Sequence, residues 1–293
     1  MTVNGTTMVC GVMGCPVGHS MSPLMHNFFA EQTGLDLVYV PFPVEPGQVK
    51  AAVAGAHALN IRGINVTVPH KQAVMEAVCS LDESAKAVGA VNTLVWTEQG
   101  YRGYNTDAEG MFRAMKDAGM DIAGRVCVLL GAGGAARAAA WVLVREQAAK
   151  VYILNRSMER ARQLAEEMRG MGAGRTVCVP LALEDWRQIQ EKGCLAVQTT
   201  SVGMHPHEDG VPIAEPDFYE KLDMAFDAIY TPARTRFLAL AEAAGARTAN
   251  GLGMLIHQGA AAYELWNPDI RIPETALSEA AKLIRRRLKG EGT

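Results

Sequence analysis

The sequence carries no excess of basic charge and no long apolar run. Its 293 residues have a formal net charge of -3 and a pI near 6.2, which argues against the basic surface that nucleic acids and anionic membranes attract. No stretch of about 18 consecutive apolar residues is present, and residues 1–15 lack the basic start and apolar core of a signal peptide. We therefore expect a cytoplasmic protein without nucleic-acid or membrane partners.

Metal-binding patterns are also missing. The cysteines have no close pairs of the kind that bind zinc, and four of them lie in apolar runs, which predicts small buried side chains. They are Cys10, Cys15, Cys79, Cys127, Cys178 and Cys194. The polar loop His205-Pro206-His207-Glu208-Asp209 has no further ligand placed by any motif, so we expect no bound metal.

What the sequence does contain is a short apolar run that ends in glycines. Val126 to Leu130 is followed by Gly131-Ala132-Gly133-Gly134-Ala135-Ala136 and an alanine-rich segment up to Gln147. This pattern predicts a strand, a tight turn and a helix whose first free amides could bind a pyrophosphate. Similar loops occur in S-adenosylmethionine enzymes, so the glycines alone leave the cofactor open. The next apolar run, Val151 to Leu154, completes a strand-helix-strand unit.

The residues after this second strand favour NADP over NAD. An NAD site usually has Asp or Glu there, whereas this chain has Asn155-Arg156-Ser157, with Arg160 three residues further on. A guanidinium binds a 2′-phosphate through charge-assisted hydrogen bonds worth roughly 1.5–3 kcal/mol each. The alternative is that both arginines only begin a solvated helix.

Strands alternate with helices after Arg156, which is typical of a parallel doubly wound sheet. We predict helices at 159–168 and 234–244, strands at 176–179, 195–199, 224–229 and 247–250, and final helices at 254–266 and 274–288. The earlier residues form a second α/β pattern that ends in a hairpin around Gly100. The length suits about two domains, and we predict a substrate-binding domain at 1–107 and a Rossmann-type nucleotide-binding domain at 108–253.

Two polar stretches lie in the first half. Ser22 precedes Pro23 and is expected to cap a helix that runs to about Gln32 and ends at Gly34. The hydroxyls of Ser20 and Ser22 suit either capping or a carboxylate or polyhydroxylated ligand.

The second polar stretch follows a predicted strand. Alternation places Asn65 and Thr67 on one face and Val66 and Val68 on the other, and Lys71 follows at the expected start of a helix. This arrangement fits a cleft for a small hydroxylated molecule, and a solvated edge strand fits the same pattern.

Two further polar residues have simple structural explanations. Asp107 is placed to begin a helix and suits an N-cap. Gln258 lies in the predicted helix 254–266 and faces either a cleft or solvent.

Together these stretches resemble the shikimate dehydrogenase family over nearly the whole chain. Seven motifs occur in the family's order: Gly14-Cys15-Pro16-Val17-Gly18-His19-Ser20-Met21-Ser22-Pro23 with His26-Asn27, Asn65 to Lys71, Gly89 to Thr93, Asn105-Thr106-Asp107, the glycine loop at Gly131, Asn155-Arg156-Ser157, and Gly251 to Gln258. The chain departs from the family pattern at Gln198-Thr199, where Asn-Ala is common, and at Gly18, where Ser is frequent.

The resemblance implies both an activity and a fold. The family reduces 3-dehydroshikimate to shikimate with NADPH, on the route to chorismate and the aromatic amino acids. Its fold implies a cleft between two α/β domains, with the last helices, about 254–293, returning to the first domain. We expect a monomer or homodimer.

The resemblance also assigns residues. Lys71 and Asp107 would be the catalytic pair. Ser20 and Ser22 would bind the substrate carboxylate with Tyr230 nearby, and the substrate hydroxyls would be held by Asn65, Thr67, Asn92, Asp107 and Gln258. NADP would be bound by Gly131, Ala132, Gly133, Gly134, Ala135, Asn155, Arg156, Ser157, Arg160, Ala228, Gly251 and Met254.

Three rival functions share part of the pattern. A quinate/shikimate dehydrogenase that uses NAD is disfavoured by Arg156 and Arg160. A ligand-sensing homologue without activity should lack Lys71 or Asp107, and a methyltransferase would need no such pair.

Overall fold

The computed structural model describes residues 3–170 and 175–290. These residues form two compact units. Unit 1 contains the described residues up to Gly110 and from Ile256 onwards, and unit 2 contains those of Met111–Leu255.

Each unit has its own sheet. The strands are β1 (Met8–Gly14), β2 (Leu37–Pro43), β3 (Gly63–Val66), β4 (Ser80–Leu81), β5 (Thr93–Thr97), β6 (Gly100–Tyr104), β7 (Val126–Leu130), β8 (Lys150–Asn155), β9 (Val177–Ala182), β10 (Cys194–Gln198), β11 (Leu222–Asp227) and β12 (Arg247–Asn250).

The helices lie between these strands and at the end of the chain. They are α1 (Ser22–Thr33), α2 (Val49–Ala58), α3 (Glu83–Val88), α4 (Asp107–Asp117), α5 (Gly134–Arg145), α6 (Met158–Gly170), α7 (Pro216–Tyr219), α8 (Arg236–Ala243), α9 (Leu252–Trp266) and α10 (Glu274–Leu288). Short 3-10 helices span Ala73–Ala77 and Leu183–Gln188.

The sheet of unit 1 has the order β2-β1-β3-β5-β6-β4. It is mixed, because β1 pairs in parallel with β2 and β3 whereas β3, β5 and β6 pair antiparallel. β3 therefore lies inside the sheet, and the alternative of a solvated edge strand is wrong. The strand also ends at Val66, so the predicted alternation does not reach Val68, whose side chain is 68% exposed.

Helix α1 begins at Ser22, the residue that was predicted to be its N-cap. Met21 is the N-cap and Ser22 is already the first helical residue, with Pro23 in the first turn. The expectation that Ser22 caps α1 is therefore wrong. Gly34 ends the helix in the left-handed region, with φ +69°, where a residue without Cβ is not strained.

The sheet of unit 2 is entirely parallel, in the order β12-β11-β10-β7-β8-β9. Read from β9, this is the Rossmann strand order. The order in which strands are added to the sheet reverses between β7 and β10. The predicted doubly wound sheet is thus confirmed. Sheets of this kind bind ligands beyond the carboxyl ends of the strands at the reversal point, which here is the end of β7 at Gly131.

Most of the cysteines are buried as predicted. Cys10, Cys127, Cys178 and Cys194 are inaccessible, whereas Cys15 is half-buried and Cys79 is exposed. The prediction of buried cysteines is therefore wrong for Cys79. In the described residues, no helix has both the length and the apolar character needed to cross a membrane.

Candidate active site

Lys71 and Asp107 form an ion pair in unit 1. The Lys71 Nζ lies 2.7 Å from the Asp107 Oδ2, and the two side chains are 32% and 18% exposed. Asp107 is the first residue of α4, so the helix begins where predicted, but Asp107 is not the N-cap that the sequence suggested. Lys71 lies in a turn that precedes the 3-10 helix at Ala73–Ala77 rather than at the start of an α-helix. The pair is shielded but still reachable, as a group that exchanges a proton with a ligand must be.

Asn92 holds the Asp107 carboxylate from the other side. Its Nδ2 donates to the Asp107 Oδ1 at 2.9 Å and to the Thr106 Oγ1 at 3.1 Å. Its Oδ1 accepts from the backbone N–H of Thr106 at 2.8 Å. Both carboxylate oxygens of Asp107 therefore have donors, one neutral and one charged.

Asn65 extends this arrangement towards β2. Its Oδ1 accepts from the Tyr39 hydroxyl at 2.7 Å, and its Nδ2 donates to the Thr93 Oγ1 at 3.1 Å and to the Asn92 carbonyl at 3.3 Å. The structure thus links four of the predicted site residues in one hydrogen-bonded group: Asn65, Lys71, Asn92 and Asp107. Sequence reasoning missed Tyr39 and Thr93, since a tyrosine and a threonine within strands are ordinary β-formers.

The remaining predicted substrate residues are at least partly accessible. Ser20 and Ser22 are half-buried, and the Ser20 Oγ accepts from the Ser22 N–H at 3.2 Å. Thr67 and Gln258 are also half-buried and belong to unit 1. Tyr230 belongs to unit 2, where burial raises the pKa of its hydroxyl. The substrate contacts of these residues stay predictions.

The glycine loop of unit 2 is shaped for a close ligand. Gly131 has φ +116°, and a Cβ added there would lie 2.7 Å from the Thr199 Oγ1. Gly133 and Gly134 are exposed, and a Cβ at either position would meet no atom within 4 Å. Helix α5 begins at Gly134, and no described side chain caps its start. Its first amides can therefore bind an anion, and the glycines leave room for a pyrophosphate.

The loop after β8 presents cationic side chains to solvent. Arg156 and Arg160 are exposed, and within the described part of the chain neither forms an ion pair. The Asn155 Nδ2 donates to the Ser157 carbonyl at 3.0 Å, and the Ser157 Oγ accepts from the Arg160 N–H at 3.5 Å. This loop therefore offers guanidinium groups to a phosphate.

The family departure at Gln198-Thr199 has a structural role. Gln198 is fully buried at the end of β10, where its Nε2 donates to the carbonyls of Thr200 and Val202 at 3.2 Å each. Its Oε1 accepts from the Thr200 N–H, and the Thr199 Oγ1 donates to the Leu130 carbonyl at 2.7 Å. These bonds fasten the loop after β10 to the end of β7.

The other predicted cofactor residues lie at neighbouring strand ends. Ala228 follows β11 and its N–H donates to the Gln198 carbonyl at 2.9 Å. Gly251 follows β12, and any Cβ at this position would collide with the Ala228 carbonyl. Met254 is half-buried in α9. Their cofactor contacts stay predictions.

Asp227, the last residue of β11, was missed by sequence reasoning. Its carboxylate is fully buried and accepts from the Thr235 Oγ1 at 2.6 Å and from the Ile229 N–H at 3.0 Å. Burial raises its pKa to about 6, because the two hydrogen bonds only partly offset the loss of water. It anchors the N-cap of α8 to the sheet.

Three family models match successive parts of the chain. Residues 12–94 match the model of the shikimate dehydrogenase substrate binding domain, residues 113–179 that of shikimate / quinate 5-dehydrogenase, and residues 251–282 that of the shikimate 5'-dehydrogenase C-terminal domain. The shikimate dehydrogenase (NADP(+)) of Methanothermobacter thermautotrophicus is 41% identical over 281 residues, covering 94% of this chain and 97% of the relative.

Solved structures agree with these matches. Shikimate 5-dehydrogenase from Listeria monocytogenes, in complex with shikimate and NAD, has a TM-score of 0.88 at 33% identity and covers 97% of this chain and 98% of that one. The enzyme from Thermus thermophilus, in complex with NADP(H) and shikimate, has a TM-score of 0.81 at 34% identity, with 94% and 98% covered. This chain belongs to the shikimate dehydrogenase family.

Proposed function

We propose that this protein catalyses the reversible, NADP-dependent reduction of 3-dehydroshikimate to shikimate, a step towards chorismate and the aromatic amino acids. The observation that carries the proposal is the ion pair between Lys71 and Asp107 at 2.7 Å, half-shielded from solvent and flanked by Asn92. NADPH, when bound, supplies the hydride. The rest of the chemistry falls to residues of this chain.

Lys71 handles the proton in this proposal. Hydride addition to a ketone builds negative charge on the carbonyl oxygen, and an adjacent ammonium both stabilises that charge and donates the proton. In the reverse direction the lysine amine accepts the proton from the substrate hydroxyl. The Asp107 carboxylate holds Lys71 in place through the hydrogen bond to Nζ and offers its remaining acceptor capacity to a substrate hydroxyl.

Substrate recognition is assigned to small polar groups of the same unit. Ser20 and Ser22 would bind the carboxylate, and Asn65, Thr67, Asn92, Asp107 and Gln258 would surround the hydroxyls. We assign substrate binding to residues 1–107 with about 254–293, and NADP binding to residues 108–253.

NADP binding follows from two features of unit 2. The open N-terminus of α5 suits the pyrophosphate, and the exposed Arg156 and Arg160 suit the 2′-phosphate. A carboxylate at the end of β8 would repel that phosphate, and Asn155 occupies this position instead.

The test is the initial rate of shikimate oxidation by the purified protein, with NADP and NAD in parallel and quinate as a second substrate. We expect turnover with shikimate and NADP to exceed every other combination. Comparable rates with NAD or quinate would favour the second candidate, a quinate/shikimate dehydrogenase. This candidate is tested because the similar structure from Listeria monocytogenes contains NAD. No turnover with any pair would overturn the proposal.

We further propose a cytoplasmic protein that acts as a monomer or homodimer and binds no nucleic acid. The net charge of -3 supports the last of these assignments, since a chain without an excess of basic charge offers a polyanion little net attraction. Light scattering coupled to size exclusion measures the mass, and a mass above that of two chains would contradict it.

A further inference from the structure

The hydrogen bonds around Asn65 and Asn92 have a defined direction. The backbone N–H of Thr106 lies 2.8 Å from the Asn92 Oδ1, and a backbone N–H requires an acceptor. The amide of Asn92 is therefore fixed with its Nδ2 towards Asp107. The backbone carbonyl of Asn92 lies 3.3 Å from the Asn65 Nδ2, and a carbonyl requires a donor. This contact fixes the Asn65 amide with its Nδ2 towards the Asn92 carbonyl. Main-chain groups therefore determine the orientation of both side-chain amides.

With both amides oriented, the directions of the bonds that lead to Asp107 follow; Thr93 also contacts the Thr106 Oγ1 at 3.3 Å, where either hydroxyl can donate. The Asn65 Oδ1 is an acceptor, so the Tyr39 hydroxyl donates to it at 2.7 Å. The Asn65 Nδ2 donates to the Thr93 Oγ1 at 3.1 Å, and the Thr93 hydroxyl donates onwards to the Asn92 Oδ1 at 2.9 Å. Asn92 then donates to the Asp107 Oδ1. Four donors in series thus point towards the carboxylate that holds Lys71.

Neither hydroxyl of this relay is open to a ligand. Tyr39 is 1% exposed and Thr93 is fully buried. Burial raises the pKa of Tyr39 well above its ordinary value, an effect that hydrogen bonding with Ser22 only partly offsets, so this hydroxyl stays a donor at any working pH. The His26 ring stacks on Tyr39 at a centroid distance of 4.3 Å and fixes the phenol from behind.

We propose that Tyr39 and Thr93 are positioning residues of this active site, whose buried hydroxyls fix the Asn65 and Asn92 amides and through them the Asp107 carboxylate. The inference rests on the proposed function, because it takes Asp107 as the partner of the proton-transferring Lys71. Donors in series polarise one another, so the last bond to the carboxylate is stronger than an isolated amide bond. The relay also prevents the carboxylate from rotating away from Lys71.

Thr93→Val is the first test, since it keeps the shape of the side chain and removes the hydroxyl. It leaves the buried Asn65 Nδ2 without one acceptor and the Asn92 Oδ1 without one donor. We expect kcat for shikimate oxidation to fall roughly tenfold, which is the size of one lost hydrogen bond, with the KM for NADP unchanged. Thr93→Ser restores the hydroxyl and should recover most of kcat.

A double-mutant cycle separates positioning from a merely structural role. Thr93→Val is combined with Asp107→Ala, which removes the group at the end of the relay. If Thr93 acts through Asp107, Thr93→Val should lower kcat far less in the Asp107→Ala background than in the parent. An equal loss of kcat in both backgrounds, or no recovery with Thr93→Ser, would overturn the proposal.

Tyr39→Phe tests the far end of the relay. We expect a smaller loss of kcat than for Thr93→Val, about threefold, because two further bonds separate Tyr39 from the carboxylate. Tyr263→Phe is the matched control, since Tyr263 is buried in the same aromatic group but its hydroxyl bonds to the Thr33 Oγ1 at 2.7 Å, outside the relay. Equal losses in the two variants would contradict a role for Tyr39.

Thermal melting of each variant shows whether it folds, and the parent's own activity separates the two proposals. A parent with no shikimate turnover overturns the proposed function. An active parent whose Thr93→Val and Tyr39→Phe variants retain full kcat overturns only the relay.

Discussion

The polar group of unit 1 and the cofactor-binding surface of unit 2 are built in opposite ways. Around Asp107 nearly every donor and acceptor is already satisfied by buried neighbours in the same unit. At the start of α5 and after β8, by contrast, glycine amides and the Arg156 guanidinium face solvent. The side chains around Asp107 are therefore already oriented before a ligand binds to unit 1. In unit 2 the glycine amides and the Arg156 guanidinium find partners only when the cofactor binds. Substitutions in unit 1 should act mainly on kcat and those in unit 2 on cofactor affinity.

Lys71→Ala should produce the largest effect. Loss of the proton-transferring ammonium is expected to lower kcat roughly 10²- to 10⁴-fold, with little change in KM. Steady-state kinetics of shikimate oxidation measures both. Lys50→Ala is the matched control, because Lys50 pairs with Glu76 at 3.0 Å on the exposed surface of the same unit and should leave kcat unchanged. An unchanged kcat for Lys71→Ala would remove this lysine from the chemistry.

Arg156→Ala should have the next largest effect, and on affinity instead. Loss of a charge-assisted contact to the 2′-phosphate, worth roughly 1.5–3 kcal/mol, is expected to weaken NADPH about 10- to 150-fold and NADH hardly at all. Fluorescence titration measures both dissociation constants without turnover. The exposed Arg162 of α6 provides the control variant, Arg162→Ala, which should bind NADPH normally. An equal loss of affinity for NADPH and NADH would contradict the assignment of Arg156 to the 2′-phosphate.

The sequence predicted the fold best where its elements are long and regular. The parallel sheet of unit 2 was predicted from alternating apolar runs and helices, and the strand order confirms it. The short elements β4, α3 and α7 were missed, because two to six residues hold no usable periodicity.

The candidate site was predictable only in part, for a different physical reason. Asn65 and Thr67 alternate with apolar residues, a pattern that a solvated edge strand shares. What distinguishes the two is whether the amide finds buried partners, and those of Asn65 include Tyr39 and Thr93, 26 and 28 positions away. Such partners are set by strand order rather than by local sequence. The resemblance to a family identified Asn65 without needing this information, but it gave no reason to single out Tyr39 or Thr93.

Lowering the pH should change the stability of the two units in opposite directions, and this is the smallest of the expected effects. Burial lowers the pKa of His26 in unit 1 to about 3, against about 6.5 in an unfolded chain, so the unfolded chain binds more protons between these values. Stability from His26 is present above pH 6.5 and lost below it, by about 2 kcal/mol at pH 5. In unit 2 burial raises the pKa of Asp227 to about 6, so the folded state binds more protons and gains stability as pH falls from about 6 to 4.

Hydrogen exchange followed by mass spectrometry at pH 7 and pH 5, corrected for the intrinsic rate, measures this difference. Protection should fall in α1 and β2 of unit 1 and hold or rise in β11 and α8 of unit 2. His26→Leu should remove the loss in unit 1, since an aliphatic side chain takes up no proton, whereas His19→Leu at an exposed position should not. If both units lost protection equally at pH 5 and His26→Leu changed nothing, the acid response would belong to other groups, and the stacked His26 would be only a packing partner of Tyr39.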